Sequence, residues 1–101
     1  MTELARAMEL VGRKWALHVI EALLDGPRRF TEIERALAAV NPRLVTTRLR
    51  ELEAAGLLTR TAYAEVPPRV EYALTARGRE LRPAIAALRR FGARPSGRRS
   101  R

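Results

Sequence analysis

Two short amphipathic segments separated by Val40-Asn41-Pro42 constrain the fold of this chain more than any other feature. Thr31 followed by Glu34 has the spacing of a capping box, in which each side chain satisfies a free backbone N–H. In the separating tripeptide, Asn is a good helix N-cap and Pro a good first helical residue. The pattern therefore predicts one helix that starts at Thr31 and ends near residue 39, and a second over residues 42–55 that Gly56 ends.

Periodicity predicts the remaining elements around this pair. Three more helices are predicted over residues 2–11, 14–24 and 76–91, with a short strand at Phe30 and two longer strands over residues 58–63 and 70–74. Pro83 lies inside the last helix and should kink it, because its backbone has no N–H. The order helix, helix, short strand, helix, helix, strand, strand, helix predicts a mainly α fold with a small β-hairpin wing, the winged helix-turn-helix.

The length of 101 residues suffices for one domain. The chain has one Trp, two Tyr and two Phe, so its core must consist mostly of aliphatic side chains. We expect residues 1–92 to form that domain, and residues 93–101 to form a disordered basic tail.

The net charge of +9 suits a polyanionic partner, either nucleic acid or an anionic membrane surface. A genome rich in G and C explains why every Lys or Arg position except Lys14 is arginine. It does not explain the excess of basic over acidic residues. No helix combines a strong apolar face with a polar face rich in Lys and Arg, which disfavours the membrane surface.

Cysteine is absent, which excludes disulfides, thiolate metal sites and thiol redox sensing. No apolar run approaches the roughly 20 residues that span a bilayer, and residues 1–7 lack the pattern of a signal peptide. The sequence thus predicts a soluble, cytoplasmic, nucleoid-associated protein.

The helix predicted over residues 42–55 has two different faces when its residues are placed at 100° intervals. The apolar face carries Val45, Leu49 and Leu52. The opposite face carries Arg43, Thr46, Thr47 and Arg50. Arginine can pair bidentately with guanine, and threonine offers a hydroxyl and a methyl group, so this face suits the DNA major groove. An ordinary solvated face is the alternative, but such faces usually include acids.

Arg48 lies nearer the apolar face, where it could reach a phosphate or pair with a carboxylate. Other candidate DNA contacts lie outside this helix. Arg69 follows Pro67-Pro68 at the hairpin tip and suits a minor groove or a phosphate. The remaining candidates are Lys14, at the start of the second helix, and Arg28, Arg29 and Thr31, beside free N–H groups of the third. Each of these arginines could also be one exposed base in an Arg-rich chain.

The first and last predicted helices each carry an apolar stripe, which predicts a homodimer. The candidate interface consists of Leu4, Met8, Leu81, Ile85, Leu88 and Phe91. Some of these side chains could instead close the core of the monomer. In a dimer, the two recognition helices should lie roughly 34 Å apart, one turn of DNA.

The chain resembles the HxlR family of bacterial regulators, relatives of the MarR group, over about residues 5–92. The matching stretches are residues 7–15, 24–33, 41–53, 56–57, 63–72 and 74–78, of which Val-Pro-Pro-Arg-Val-Glu-Tyr at 66–72 is the most specific. The resemblance implies a homodimer built through the terminal helices that binds paired operator half-sites. Many members carry a Cys before the first helix; this chain has none. It also has Gly12-Arg13-Lys14-Trp15 where the family has Gly-Gly-Lys-Trp.

Residue types argue against an enzyme. His18 is the one histidine, and its place in an apolar helix indicates a packed core residue. No nucleophile–base–acid set, metal-ligand cluster or phosphate-binding Gly loop is present, so no cofactor or metal is predicted. The competing hypothesis is a winged-helix module for protein or RNA contacts. The pattern specifies neither the operator nor the sign of regulation, and it leaves open a small-molecule effector site between the dimer helices and the core near Trp15.

Overall fold

The structure is a computed structural model that describes residues 1–95, which form six helices and three strands. In chain order these are α1 (Glu3–Val11), α2 (Ala16–Ala22), β1 (Arg28–Arg29), α3 (Phe30–Ala36), α4 (Pro42–Ala54), β2 (Leu58–Tyr63), β3 (Arg69–Leu74), α5 (Ala76–Arg79) and α6 (Arg82–Ala93). The predicted winged helix-turn-helix is confirmed. Most of the predicted basic tail, residues 96–101, lies outside the described residues.

The three strands form one antiparallel sheet in the order β1-β3-β2. β2 and β3 pair from Leu58 opposite Leu74 to Tyr63 opposite Arg69, which leaves residues 64–68 as the tip of the hairpin. β1 pairs through Arg28 opposite Tyr72. The sheet therefore attaches the start of α3 to the middle of β3, which joins the helix pair to the wing.

The core lies between α2, α3 and α4 and the sheet. Its fully buried large side chains are Val19, Ile20, Leu23, Ile33, Val45, Leu49, Leu52 and Leu58. The inward face predicted for α4 is thus confirmed. Because that face is apolar along the whole helix, its burial fixes which residues of α4 point away from the core.

Helix capping follows the sequence at two N-termini and departs from it at a third. Thr2 accepts a hydrogen bond from the backbone of residue 5, and Asn41 accepts one from Arg43 at 2.8 Å. The capping box predicted from Thr31 is wrong. Glu32 instead accepts from the backbone N–H of Arg29 at 2.8 Å, and α3 begins one residue earlier than predicted. Pairing of β1 with β3 orders the chain up to residue 29, so the helix starts directly after it.

The predicted kinked helix over residues 76–91 is two helices, α5 and α6. Pro83 lies in the first turn of α6, where a backbone N–H has no intrahelical acceptor and its absence costs nothing. Gly78 of α5 packs directly against the carbonyl of Leu57, so closely that a Cβ at this position would collide with that oxygen. This close approach orients α5 on the core, and α6 leaves it in a new direction.

The chain turns sharply between α1 and α2. Trp15 precedes α2 with a left-handed backbone, φ 75°, and α2 spans a shorter stretch than the predicted residues 14–24.

No helix within residues 1–95 is both long enough and apolar enough to cross a bilayer.

Candidate nucleic-acid interface

The outward face of α4 presents the polar side chains that the sequence predicts for it. Arg43, Thr47 and Arg50 are exposed, and Thr46 is half-buried. The hydroxyl of Thr47 donates to the carbonyl of Arg43 at 3.0 Å, one turn earlier. Because the hydroxyl proton of Thr47 is engaged within the helix, this hydroxyl can act toward another molecule as a hydrogen-bond acceptor. The face offers two guanidinium groups as donors and a hydroxyl as acceptor.

Arg48 does not belong to this face. Its Nε donates to the carbonyl of Lys14 at 2.8 Å, and its Nη1 pairs with Glu51 at 3.0 Å. Its side chain is only 14% exposed. Of the two alternatives left by the sequence, pairing with a carboxylate is the one observed in the unbound chain. A contact between Arg48 and DNA stays a prediction.

Glu51 extends this contact to the turn before α2. Its other carboxylate oxygen lies 3.2 Å from Arg13, so Glu51 joins Arg13 and Arg48. Sequence reasoning missed this cluster. The spacing of Arg48 and Glu51 on one helix is typical of an ion pair, but nothing local to Arg13 indicates a partner 38 positions away.

The other predicted phosphate contacts lie on the surface around α3 and α2. Arg29 and Thr31 are exposed, and Arg28 is half-buried in β1. Lys14 is exposed, with its ammonium 5.5 Å from the centre of the Trp15 ring. All four side chains are thus at least partly accessible to solvent, and their contacts with DNA stay predictions.

Arg69 is held inside the wing. Its guanidinium pairs with Glu65 at 2.8 Å and with Glu71 at 3.1 Å, and it lies 4.0 Å from the centre of the Tyr63 ring. Both carboxylates and the aromatic face hold the side chain against the hairpin, so a contact of Arg69 with a minor groove or a phosphate, which stays a prediction, would require it to leave these partners. The fully exposed side chain at the tip is Val66 instead.

The apolar residues predicted for a dimer interface divide into two groups. Leu4, Met8, Leu88 and Phe91 are exposed, at 71%, 48%, 52% and 74%. Leu81 is half-buried against the core, and Ile85 is 5% exposed. Ile85 is thus a correction: it closes the core of its own chain, because it is the residue of α6 that faces α2 and the rest of the core.

Two cavities open on the surface of the described chain. A cavity of about 390 Å³ lies between α1 and α5, with Leu10, Val11 and Leu57 among its apolar lining residues and charged residues from both helices beside them. A smaller one of about 200 Å³ lies between α2 and α6, and His18 lines it. The larger cavity is not lined by Trp15, near which the sequence left an effector site open.

His18 is also a correction. Its ring is exposed and lies 4.6 Å from the ring of Trp15 in an edge-on arrangement, so it is not a core residue. In residues 1–95, no three His, Asp or Glu side chains come together as a metal site would require.

Comparison with known proteins agrees with this geometry. Over 85 residues the chain is 42% identical to an uncharacterized HTH-type transcriptional regulator of Synechocystis, covering 84% of this chain and 63% of that protein. Over 86 residues it is 45% identical to one from Methanothermobacter thermautotrophicus, covering 85% and 66%. This chain thus spans about two thirds of the length of these relatives.

A solved structure agrees as well. A putative transcriptional regulator of the MarR family from Porphyromonas gingivalis superposes with a TM-score of 0.89 at 31% identity, covering 93% of this chain and 92% of that one. Residues 10–99 match the HxlR-like helix-turn-helix family. A match over that range, to a family of transcriptional regulators with this winged-helix geometry, establishes that the chain belongs to the HxlR-like helix-turn-helix family.

Proposed function

We propose that this chain binds double-stranded DNA sequence-specifically, as a homodimer on a palindromic operator, and thereby regulates transcription. In this proposal α4 occupies the major groove and the wing, residues 64–70, lies over the minor groove and its phosphates. The observation that carries the proposal is the exposed face of α4. It presents Arg43, Thr47 and Arg50, while the opposite face is buried against the core.

The chemistry of this face determines which base edges it can read. Arg43 and Arg50 can each donate two hydrogen bonds to guanine, and the methyl group of a threonine can pack on thymine. Because the hydroxyl proton of Thr47 is engaged by the Arg43 carbonyl, Thr47 reads as an acceptor. It therefore suits the amino group of adenine or cytosine.

Other exposed basic residues, together with Thr31, would supply contacts that position the protein without reading the DNA sequence. Arg29, Thr31 and Lys14 are open to solvent, and Arg28 is partly open. The carbonyl of Lys14 accepts a hydrogen bond from Arg48 of α4. Phosphate contacts of this kind fix register and orientation on the duplex. The net charge of +9 supports a large electrostatic share of the affinity.

A homodimer is supported by the terminal helices. Val11 is the buried residue of α1 and Ile85 that of α6, while Leu4, Met8, Leu88 and Phe91 remain exposed. Two helices with large uncovered apolar side chains favour association of two copies. Residues 1–92 would then serve both as the DNA-binding and as the dimerisation domain.

The test is a selection of duplexes from a random-sequence DNA library, followed by titration of the recovered duplex at increasing salt. We expect one palindromic family of sequences and an affinity that falls steeply, with a slope of log K against log salt of about −0.9 for each phosphate contacted. The same sequence as duplex RNA is the matched control. Equal binding to the RNA, or no enrichment of any duplex, would contradict the proposal and favour a module for RNA or protein contacts.

A further inference from the structure

The tip of the wing, residues 64–68, offers DNA no free charged side chain. Glu65 is its charged residue, and the carboxylate of Glu65 pairs with Arg69. Beyond Glu65, whose side chain is 48% exposed, the tip exposes apolar residues: Val66 is fully exposed, and Pro67 and Pro68 follow it. A wing built this way cannot read a minor groove through an arginine at its tip.

Two ion pairs and an aromatic contact hold the Arg69 side chain in its position. Its Nη2 and Nη1 pair with Glu65 and Glu71, and its guanidinium lies over the Tyr63 ring. Its Nε is buried with no hydrogen-bond partner among the described residues, which offsets part of this stabilisation. If Arg69 swung out to a phosphate, both carboxylates would lose their partner and would lie unpaired beside a polyanion. Held in place, it pairs with both acids of the hairpin, offsets one of their two negative charges and joins the tip to the two strands.

The geometry points to Arg69 as a positioning residue of the wing and to Val66 as the side chain that enters the minor groove of bound DNA. This inference rests on the proposed function and deepens it, since it names the wing residue that meets the duplex. Apolar side chains inserted in the minor groove partly unstack a base step, and the bend that results brings more protein surface onto DNA. The two consecutive prolines and the Arg69 contacts preorganise the tip, which lowers the entropy cost of that insertion.

The experiment uses a duplex recovered from a random-sequence library by the unsubstituted chain, with 2-aminopurine placed at the base steps flanking each half-site. Fluorescence of the 2-aminopurine reports unstacking, and hydroxyl-radical cleavage reports protection of the minor groove. Val66→Thr keeps the shape of the side chain but makes it polar. We expect it to abolish the fluorescence change and to weaken binding by up to about tenfold, with an unchanged salt slope.

Arg69→Lys separates positioning from direct phosphate binding, because lysine keeps the charge but loses the planar, forked geometry. If Arg69 is a positioning residue, both Arg69→Lys and Arg69→Gln should abolish the wing protection. If Arg69 instead binds phosphate, Arg69→Lys would retain the protection, and Arg69→Gln would reduce the salt slope by about 1 for each phosphate that the guanidinium binds. Arg77→Gln, an exposed base on α5, controls for the removal of one charge.

Each outcome decides the question. Retained fluorescence change in Val66→Thr, or protection that persists in Arg69→Lys and disappears in Arg69→Gln, overturns this inference and leaves the proposed function standing. Failure of the unsubstituted chain to recover any duplex overturns the proposed function first, and this inference with it. Circular dichroism of each variant, with urea unfolding, verifies that the wing substitutions leave the domain folded.

Discussion

At the scale of single residues, two arginines of α4 illustrate how orientation separates recognition from stability. Arg50 is exposed on the outward face, whereas Arg48 is largely buried and donates to Lys14 and Glu51. Two positions along a helix differ by about 200°, so these neighbours point to opposite sides. Substitution of Arg50 should therefore affect DNA binding, and substitution of Arg48 should affect stability.

Arg50→Ala should relax the base preference of the protein and weaken binding to the preferred duplex by about 1–3 kcal/mol, as expected for a guanine contact. The measurement is anisotropy titration against the preferred duplex and against its single-base variants. Arg77→Ala controls for the charge. An equal reduction of affinity on every sequence would mean that Arg50 contacts only phosphate.

Arg48→Met should reduce the free energy of unfolding by about 1–2 kcal/mol, because the carbonyl of Lys14 loses its donor while the aliphatic stem is kept. Arg13→Met is the matched control. It removes a well-exposed ion pair to the same Glu51 and should cost less than about 1 kcal/mol. Urea unfolding measures both variants. If Arg48→Met alters base preference and leaves stability unchanged, Arg48 is a DNA contact.

At the scale of elements, the junction of β3, α5 and α6 decides where the last helix lies. Thr75 caps α5 by accepting from Gly78, and its hydroxyl donates to the carbonyl of Gly56 at 2.7 Å. Gly56 itself has φ 78°, a left-handed conformation that suits glycine after a helix. The N-terminus of this short helix is therefore attached to the turn after α4, which sets where α5 and then α6 begin.

Gly78→Ala should destabilise the protein by about 1–3 kcal/mol, because the new methyl group would press on the backbone at Leu57 and force α5 away. Gly92→Ala is the internal control. It lies in α6 with open space around it, so it should be neutral or stabilising by up to about 1 kcal/mol. Urea unfolding of both variants measures the difference. Equal stability of the two would contradict the close approach of α5.

At the scale of the whole molecule, exposed apolar side chains gather on α1 and α6, while charged and polar side chains cover the outward face of α4. A chain with this division of its surface would associate through its terminal helices and leave both recognition helices free. In the dimer these helices would lie roughly one turn of DNA apart.

Leu88→Asp should produce monomers that bind the operator poorly, because it places a charge in the proposed interface. Leu88 is 52% exposed in the single chain, so the substitution should leave the fold of the monomer intact. Sedimentation velocity measures the oligomeric state. Arg90→Asp, at an exposed neighbouring position on α6, is the control: it changes the charge of this helix without removing an apolar side chain. A dimer that survives Leu88→Asp would exclude this interface.

The local features of the sequence sufficed for most of the fold. Capping at Asn41, the apolar face of α4 and the bounds of β2 depend on residues a few positions apart, and each was predicted correctly because such interactions are local. The outward set on α4 follows for the same reason. Once Val45 and its apolar neighbours are buried, helix geometry fixes where Arg43 and Arg50 point.

The partners of two arginines, Arg48 and Arg69, were decided by the tertiary structure. The sequence left a phosphate or a carboxylate open for Arg48, which in the folded chain meets Glu51 and the carbonyl of Lys14. It predicted Arg69 as a wing contact with DNA, whereas the folded hairpin brings Arg69 against two carboxylates and the Tyr63 ring. The division of α5 from α6 likewise depends on a contact with Leu57, 21 positions away from Gly78 in the numbering of the chain. Helix periodicity reports which face is apolar, but a partner distant in sequence leaves no periodic signal, so it becomes visible only when the chain is folded.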